Sequence, residues 1–135
     1  MSTIAFISGH RDLTGKEFIH HYQKELDRAI NDGCCFVVGD APGADVMAQR
    51  YLKRMGVEPS RVTVYHLGIL PRNNVGFCSK GGFTFHSEKD AAMTAASGFD
   101  IAWARDGRTT SGTAKNIERR SKSTRTIYDK PKQTA

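Results

Sequence analysis

Little in this chain points to a disulfide scaffold, a membrane span or a metal centre. Its 135 residues hold three cysteines: Cys34 and Cys35 are neighbours at an expected strand start, and Cys78 stands apart in an expected loop. That spacing matches no zinc motif, so no metal and no cofactor is expected, and the thiols are read as reduced and buried. No apolar run is long enough to span a bilayer, which argues against a membrane partner. The segment Met1 to Phe6 has no basic stretch ahead of its apolar residues, unlike a secretory signal, and a soluble cytoplasmic protein is expected. Internal repeats and domain boundaries are also lacking.

What is present is ordinary for a globular chain, with 39% hydrophobic and 25% charged residues. That suits one domain with a single core over residues 1–129, followed by a basic tail at 130–135. The net charge is +6. From Arg119 onward six basic residues stand against one acidic residue, Asp129, so this end carries most of the excess. No aromatic–basic interleaving or nucleic-acid motif accompanies it, and a nucleic-acid partner ranks last among the functions considered.

The pattern turns on residues 37–45, Val-Val-Gly-Asp-Ala-Pro-Gly-Ala-Asp. An apolar run ends at Gly39, and a helical pattern starts after Gly43, which reads as a buried strand turning into a helix. Glycine allows close backbone approach, and the first N–H groups of a helix attract anions. A plain tight connection is the competing reading.

Around this loop, Thr3–Ser8 reads as a first strand and Cys34–Val38 as the second. Arg61–Leu67 reads as the third, Asp100–Ala104 as the fourth and Thr124–Tyr128 as the fifth. Thr14 and Glu17 have capping-box spacing ahead of an amphipathic helix, and Ser87 with Asp90 repeats that spacing ahead of another. Residues 68–85, with four glycines and Pro71, read as a long loop. Strands alternating with helices predict an α/β fold, a Rossmann-like three-layer sandwich with a mainly parallel sheet of about five strands. Ligands of such sheets sit beyond the carboxyl ends of the strands. The loops carrying Ser8-Gly9, Gly39-Asp40 and Ser111-Gly112-Thr113 would share that edge.

Each loop offers anion chemistry. Ser111, Gly112 and Thr113 supply hydroxyls and amides at a helix start, against the plainer reading of an N-cap. Arg11 adds a guanidinium, and Asp40 a carboxylate for ribose hydroxyls. His10 and His86 are acid–base candidates, though a solvent-facing role is the stronger reading. Trp103 and Tyr65 are stacking candidates, with burial in the sheet the stronger expectation.

Ser-Gly-His-Arg-Asp after the first strand, Gly-Asp-Ala-Pro-Gly-Ala-Asp after the second, Ser87-Glu88-Lys89-Asp90-Ala91-Ala92-Met93, Asp100-Ile101-Ala102 and Ser111-Gly112-Thr113 together resemble the SLOG superfamily. That group of Rossmann-like proteins includes the LOG phosphoribohydrolases and the YpsA-related proteins. The resemblance spans about residues 3 to 128. It implies a nucleotide or nucleoside-phosphate ligand with its phosphate on the Gly-Thr loop, and a site formed by Ser8, Gly9, Arg11, Gly39, Asp40, Gly43, Ala44, Asp45, Lys89, Ser111, Gly112, Thr113 and Asn116. The superfamily's tendency to associate makes a homodimer or larger homo-oligomer an open expectation.

The departures bear on activity. The LOG signature has an arginine where this chain has Lys89 and a glutamate where it has Asn116, so both catalytic positions are altered. Cleavage of an N-glycosidic bond develops positive charge on the sugar, which a carboxylate stabilises and an amide does not. Glu88 and Asp40 are the candidates to replace it, although Glu88 in a first helical turn also fits capping. Binding of a nucleotide, whether to sense, carry or sequester it, is therefore the leading reading. A nucleoside 5'-monophosphate N-glycosidase, phosphoribohydrolase or deoxyribosyltransferase-like enzyme is the alternative.

Overall fold

The computed structural model describes residues 3–106 and 112–127. Five strands, β1 (Ile4–Ser8), β2 (Cys35–Val38), β3 (Val62–Leu67), β4 (Cys78–Phe83) and β5 (Phe99–Ala102), form one sheet in the order β4-β3-β2-β1-β5. Every neighbouring pair is parallel. Helices cover both faces, as expected for a Rossmann-like three-layer sandwich.

The alternation along β1 explains the layers, because successive side chains leave a strand on opposite faces. Ala5 and Ile7 join a core with Phe18, Tyr22 and Leu26 of the first helical segment and Ala48 and Leu52 of α3 (Ala44–Arg54). Phe6, between them, packs with Val37, Tyr65 and Met93 of α4 (His86–Ala96) on the other face. The first helical segment is continuous: α1 (Gly15–Phe18), a π-helical turn (Ile19–Gln23) and α2 (Lys24–Asn31). Its capping box forms as the spacing predicts, with Glu17 N–H donating to Thr14 Oγ1 at 3.2 Å and Thr14 N–H to Glu17 Oε1 at 3.0 Å. Arg105 then donates to both Glu17 oxygens at 2.7 and 2.9 Å, fastening the chain after β5 to this helix start.

Several expectations are corrected. The fifth strand is β4, inside the segment read as a loop, whereas residues 124–127 belong to α5 (Gly112–Ile127) and Tyr128 lies outside the described residues. The strand preference of Thr124, Thr126 and Ile127 is weak against cooperative extension of a helix already begun at Gly112. β4 reads Cys-Ser-Lys-Gly-Gly-Phe, an exposed edge strand without apolar alternation, which is why periodicity misses it. Cys78 is accordingly an exposed strand residue, not a buried one. The fourth expected strand ends at Ala102, and α4 begins at His86 with Glu88, not Asp90, accepting from the amides of Thr84 and Phe85 at 3.0 and 3.5 Å.

No helix joins β3 to β4. Side chains hold the connection against α3 instead: buried Gln49 donates to Asn73 O at 3.1 Å and accepts from Val75 N at 3.1 Å, and Lys53 donates to Val75 O at 2.7 Å. Asn74 satisfies the amides of Gly76 and Phe77 at 3.0 and 2.8 Å. Buried Phe77 completes the core beneath the connection. Among the described residues no helix is long and apolar enough to cross a membrane.

Candidate functional site

The strand order runs from β1 through β2 and β3 to β4 in one direction, then returns to place β5 on the other side of β1. Such a reversal opens a crevice at the carboxyl ends of the two diverging strands. A cavity of about 190 Å³ lies there. Ser8 at the end of β1 and Gly9 after it line the cavity, with Gly39 after β2 and with Gly112, Thr113 and Asn116 from the first turns of α5. His86, Lys89, Asp90 and Met93 line it from α4, and Arg11 and Arg72 from the loops after β1 and β3.

Local chemistry places these groups. Tyr22, fully buried, donates its hydroxyl to Ser8 O at 2.7 Å and accepts from Trp103 N at 3.1 Å, tying the end of β1 to the chain leaving β5. Gly9 is required by contact, since a Cβ would lie 2.3 Å from the Tyr22 hydroxyl and 2.4 Å from Ala44 Cβ. Gly43 has φ +80°, and its missing Cβ would sit 2.3 Å from the Arg11 carbonyl oxygen. Glycine therefore lets the first and second loops press together, and Ala44 N–H donates to His10 O at 3.1 Å. The start of α3 is thus turned onto the first loop. Gly43 and Ala44 shape the site from behind and do not line the cavity.

The cavity wall carries buried polar groups. Ser8 Oγ is buried with no hydrogen-bond partner among the described residues, although Ser8 lines the cavity. Lys89 is 5% exposed, and its ammonium has an ion pair with Asp90 at 3.7 Å, too long for a hydrogen bond. Asp45 is 9% exposed and accepts from Ala41 N at 3.1 Å through Oδ2. Its carboxyl is pushed up to about 7 by burial, against the opposing pull of the Ala41 amide and Lys89. A Cβ on Gly39 would lie 2.6 Å from Asp45 Oδ2 and 3.3 Å from Lys89 Nζ, so the missing side chain leaves these two groups open to the cavity. Thr113 and Asn116 are both buried, and Asn116 Oδ1 accepts from Arg119 Nη1 at 2.6 Å. His86 is held below the ordinary histidine range by burial and by nearby Lys89 and Arg72.

Of the residues singled out from sequence, Ser8, Gly9, Arg11, Gly39, Asp45, Lys89, Gly112, Thr113 and Asn116 come together around this one cavity. Ser111 lies outside the described residues. Asp40 and Glu88 are engaged elsewhere. Asp40 is buried, with its two oxygens accepting from Arg72 N and Arg72 Nη2, each at 2.7 Å. Burial pushes its carboxyl up, and the Arg72 hydrogen bonds and charge outweigh this and hold it below its ordinary value. Glu88 caps α4 from an exposed position.

His10 is buried rather than solvent-facing: its Nε2 accepts from Arg105 N at 2.9 Å, and Trp103 lies edge-on to its ring. Trp103 itself stacks on His21, with ring centroids 3.8 Å apart, and Tyr65 is buried in the sheet against Phe83. Arg72 and Asp90 are the charged cavity residues that sequence reasoning missed, beside Phe6, Ala41 and Met93. Arg72 sat in an aperiodic stretch and carried no motif. Asp90 has capping spacing from Ser87, yet it stands next to Lys89 at the start of α4 and lines the cavity.

Among the described residues no cluster of histidine, cysteine and acidic side chains is placed to hold a metal ion. Comparison of this chain with protein-family models, curated proteins and solved structures finds no match.

Proposed function

We propose that this protein binds a nucleotide or nucleoside phosphate in the crevice between β1 and β5, with the phosphate directed to Lys89, Arg11 and the first turn of α5. The observation that carries the reading is the pairing of an unpartnered buried hydroxyl, Ser8 Oγ, with a buried ammonium, Lys89, across a cavity at the topological switch point. Buried polar groups ordinarily have partners, and a serine hydroxyl and an ammonium without a close one call for an oxygen-rich, anionic ligand. The helix start at Gly112-Thr113 adds donors of the same sense. The SLOG-like motifs of the sequence agree with this ligand class. At about 190 Å³ the cavity falls below the usual range of roughly 300–1,000 Å³ for drug-sized ligands. That size favours enclosing the sugar phosphate, with the base toward the open side.

N-glycosidic cleavage is the second reading, favoured by one feature: Asp45 and Asp90 put carboxylates on the cavity wall, where a cationic sugar would need one. Asp40 and Glu88 are occupied by Arg72 and by the α4 cap, so the wall carboxylates are the better candidates. Incubation with AMP, GMP, CMP and UMP, followed by chromatography for free base and a parallel binding titration, separates the two. Saturable binding without base release supports the binder, release abolished in Asp45→Asn or Asp90→Asn supports the enzyme, and neither binding nor release refutes both.

A further inference from the structure

Counting charge around the cavity gives an unexpected balance for an anion site. Arg72 is committed to Asp40. That leaves Arg11 and Lys89 against Asp45 and Asp90, so the charged side chains described on the wall sum to zero when both carboxyls are ionised. A phosphate entering a low-dielectric pocket would then meet two carboxylates with no net positive charge among the described side chains to offset them. A proton held on the wall removes that conflict.

We infer that Asp45 takes up a proton when the site takes up its anion, so that the protein binds a phosphomonoester and a proton together. This rests on the phosphate-binding reading above. The two wall carboxyls are not equivalent. Asp90 has a side chain 21% exposed and an ion pair with Lys89 at 3.7 Å. Asp45 is more deeply buried, receives one amide hydrogen bond, and has no cation within ion-pair distance among the described residues. Its Oδ1 takes no hydrogen bond from a described residue, and as an acid the carboxyl becomes a donor toward a phosphate or sugar oxygen.

The groups that act on Asp45 come from every neighbouring element. Lys89 and Asp90 face it from α4, Asp40 from the loop after β2, Arg72 from the β3–β4 connection and Tyr22 from the π-helical turn. Tyr22 is pushed up to about 12 by burial and stays neutral near pH 7. Asp45, at about 7, changes charge in that range, and a bound anion raises it further.

His86 titrates below its ordinary 6.5, and a phosphomonoester releases its second proton near pH 6. A window from pH 7.0 to 8.5 therefore lies above both in the ligand-free protein, and Asp45→Asn separates Asp45 from His86, which lines the same cavity and is also raised by a bound anion. In that window the affinity for the tightest of AMP, GMP, CMP and UMP should fall with pH, approaching tenfold per pH unit for one linked proton. Calorimetry at pH 7.5 in two buffers of different ionisation enthalpy should show uptake approaching one proton per ligand. Asp45→Asn should bind with an affinity that is flat across the window. Binding that is pH-independent in the wild type, or a slope that survives in Asp45→Asn, overturns the proton linkage and leaves the ligand assignment standing. Failure of all four nucleotides to bind at any pH overturns the ligand assignment and the linkage with it.

Discussion

Arg72 reaches back 32 residues to grip Asp40 twice, through its backbone amide and through Nη2, each at 2.7 Å. Asp40 is almost wholly buried, while the Arg72 side chain is 41% exposed. The carboxylate thus acts as an anchor for the β3–β4 connection at the rim of the cavity. Asn73 Nδ2 adds a third link by donating to Asp40 O at 2.9 Å.

Removing the guanidinium should expose this dependence. Arg72→Ala leaves a buried carboxylate with only its amide partner, and a loss of about 1–3 kcal/mol is expected once the exposure of Arg72 is allowed for. Because the folded-state value of Asp40 is depressed, the stability it contributes is present above the ordinary 3.8 and lost as pH falls through the folded value. Urea denaturation of Arg72→Ala and wild type should therefore show a larger gap at pH 7 than at pH 2.

Asp45 carries the opposite sign. Its folded-state value is raised from 3.8 to about 7, so its contribution is intact below 3.8 and is lost as pH rises through 7. The shift corresponds to a penalty on the order of 4 kcal/mol at most. Asp45→Asn should be more stable than wild type at pH 8 and lose that advantage toward pH 4, as read by denaturant midpoints in each buffer.

Two glycine substitutions separate scaffold from site. Gly43→Ala combines φ +80° with backbone oxygens 2.3 and 2.5 Å from the new Cβ, and should cost about 2 kcal/mol or more. Gly39→Ala puts its methyl against Asp45 Oδ2 and Lys89 Nζ, two side-chain ends that face the cavity. It should weaken nucleotide binding at least tenfold while lowering the melting temperature less than Gly43→Ala does.

Tyr22→Phe keeps the ring stacked on Phe18 but deletes the hydroxyl that bridges Ser8 O and Trp103 N. One buried and one part-buried main-chain group lose this partner, and a loss of about 1–3 kcal/mol is expected in chemical denaturation. Nucleotide affinity should fall too, because the bridge fixes the end of β1 under Ser8.

The apolar runs of β1, β2 and β3 and the Thr14–Glu17 box were legible because each is a local signal, set by burial period or by spacing of three. The convergence of Ser8, Gly39 and Gly112 followed from alternation alone, since parallel strands put their following loops on one edge. β4 was not legible. Its pairing with β3 depends on Gln49, Lys53 and Asn74 holding a helix-free connection, and on Gly81 lying where a Cβ would be 2.2 Å from His66 Cε1. Asp40 misled for a related reason: a carboxylate in a glycine loop looks available until a distant arginine is found on it. The burial of His10 likewise depends on Arg105, 95 residues away.

On the proposed reading, the crevice beside β1 selects its ligand by the phosphate. Isothermal titration of a nucleoside 5'-monophosphate against its parent nucleoside, on wild type and on Lys89→Ala, tests it most directly. Saturable binding of the monophosphate is expected, with at least tenfold weaker binding of the nucleoside and loss of that difference in Lys89→Ala. Equal affinity for the two ligands, or a preference that survives the loss of Lys89, would contradict it.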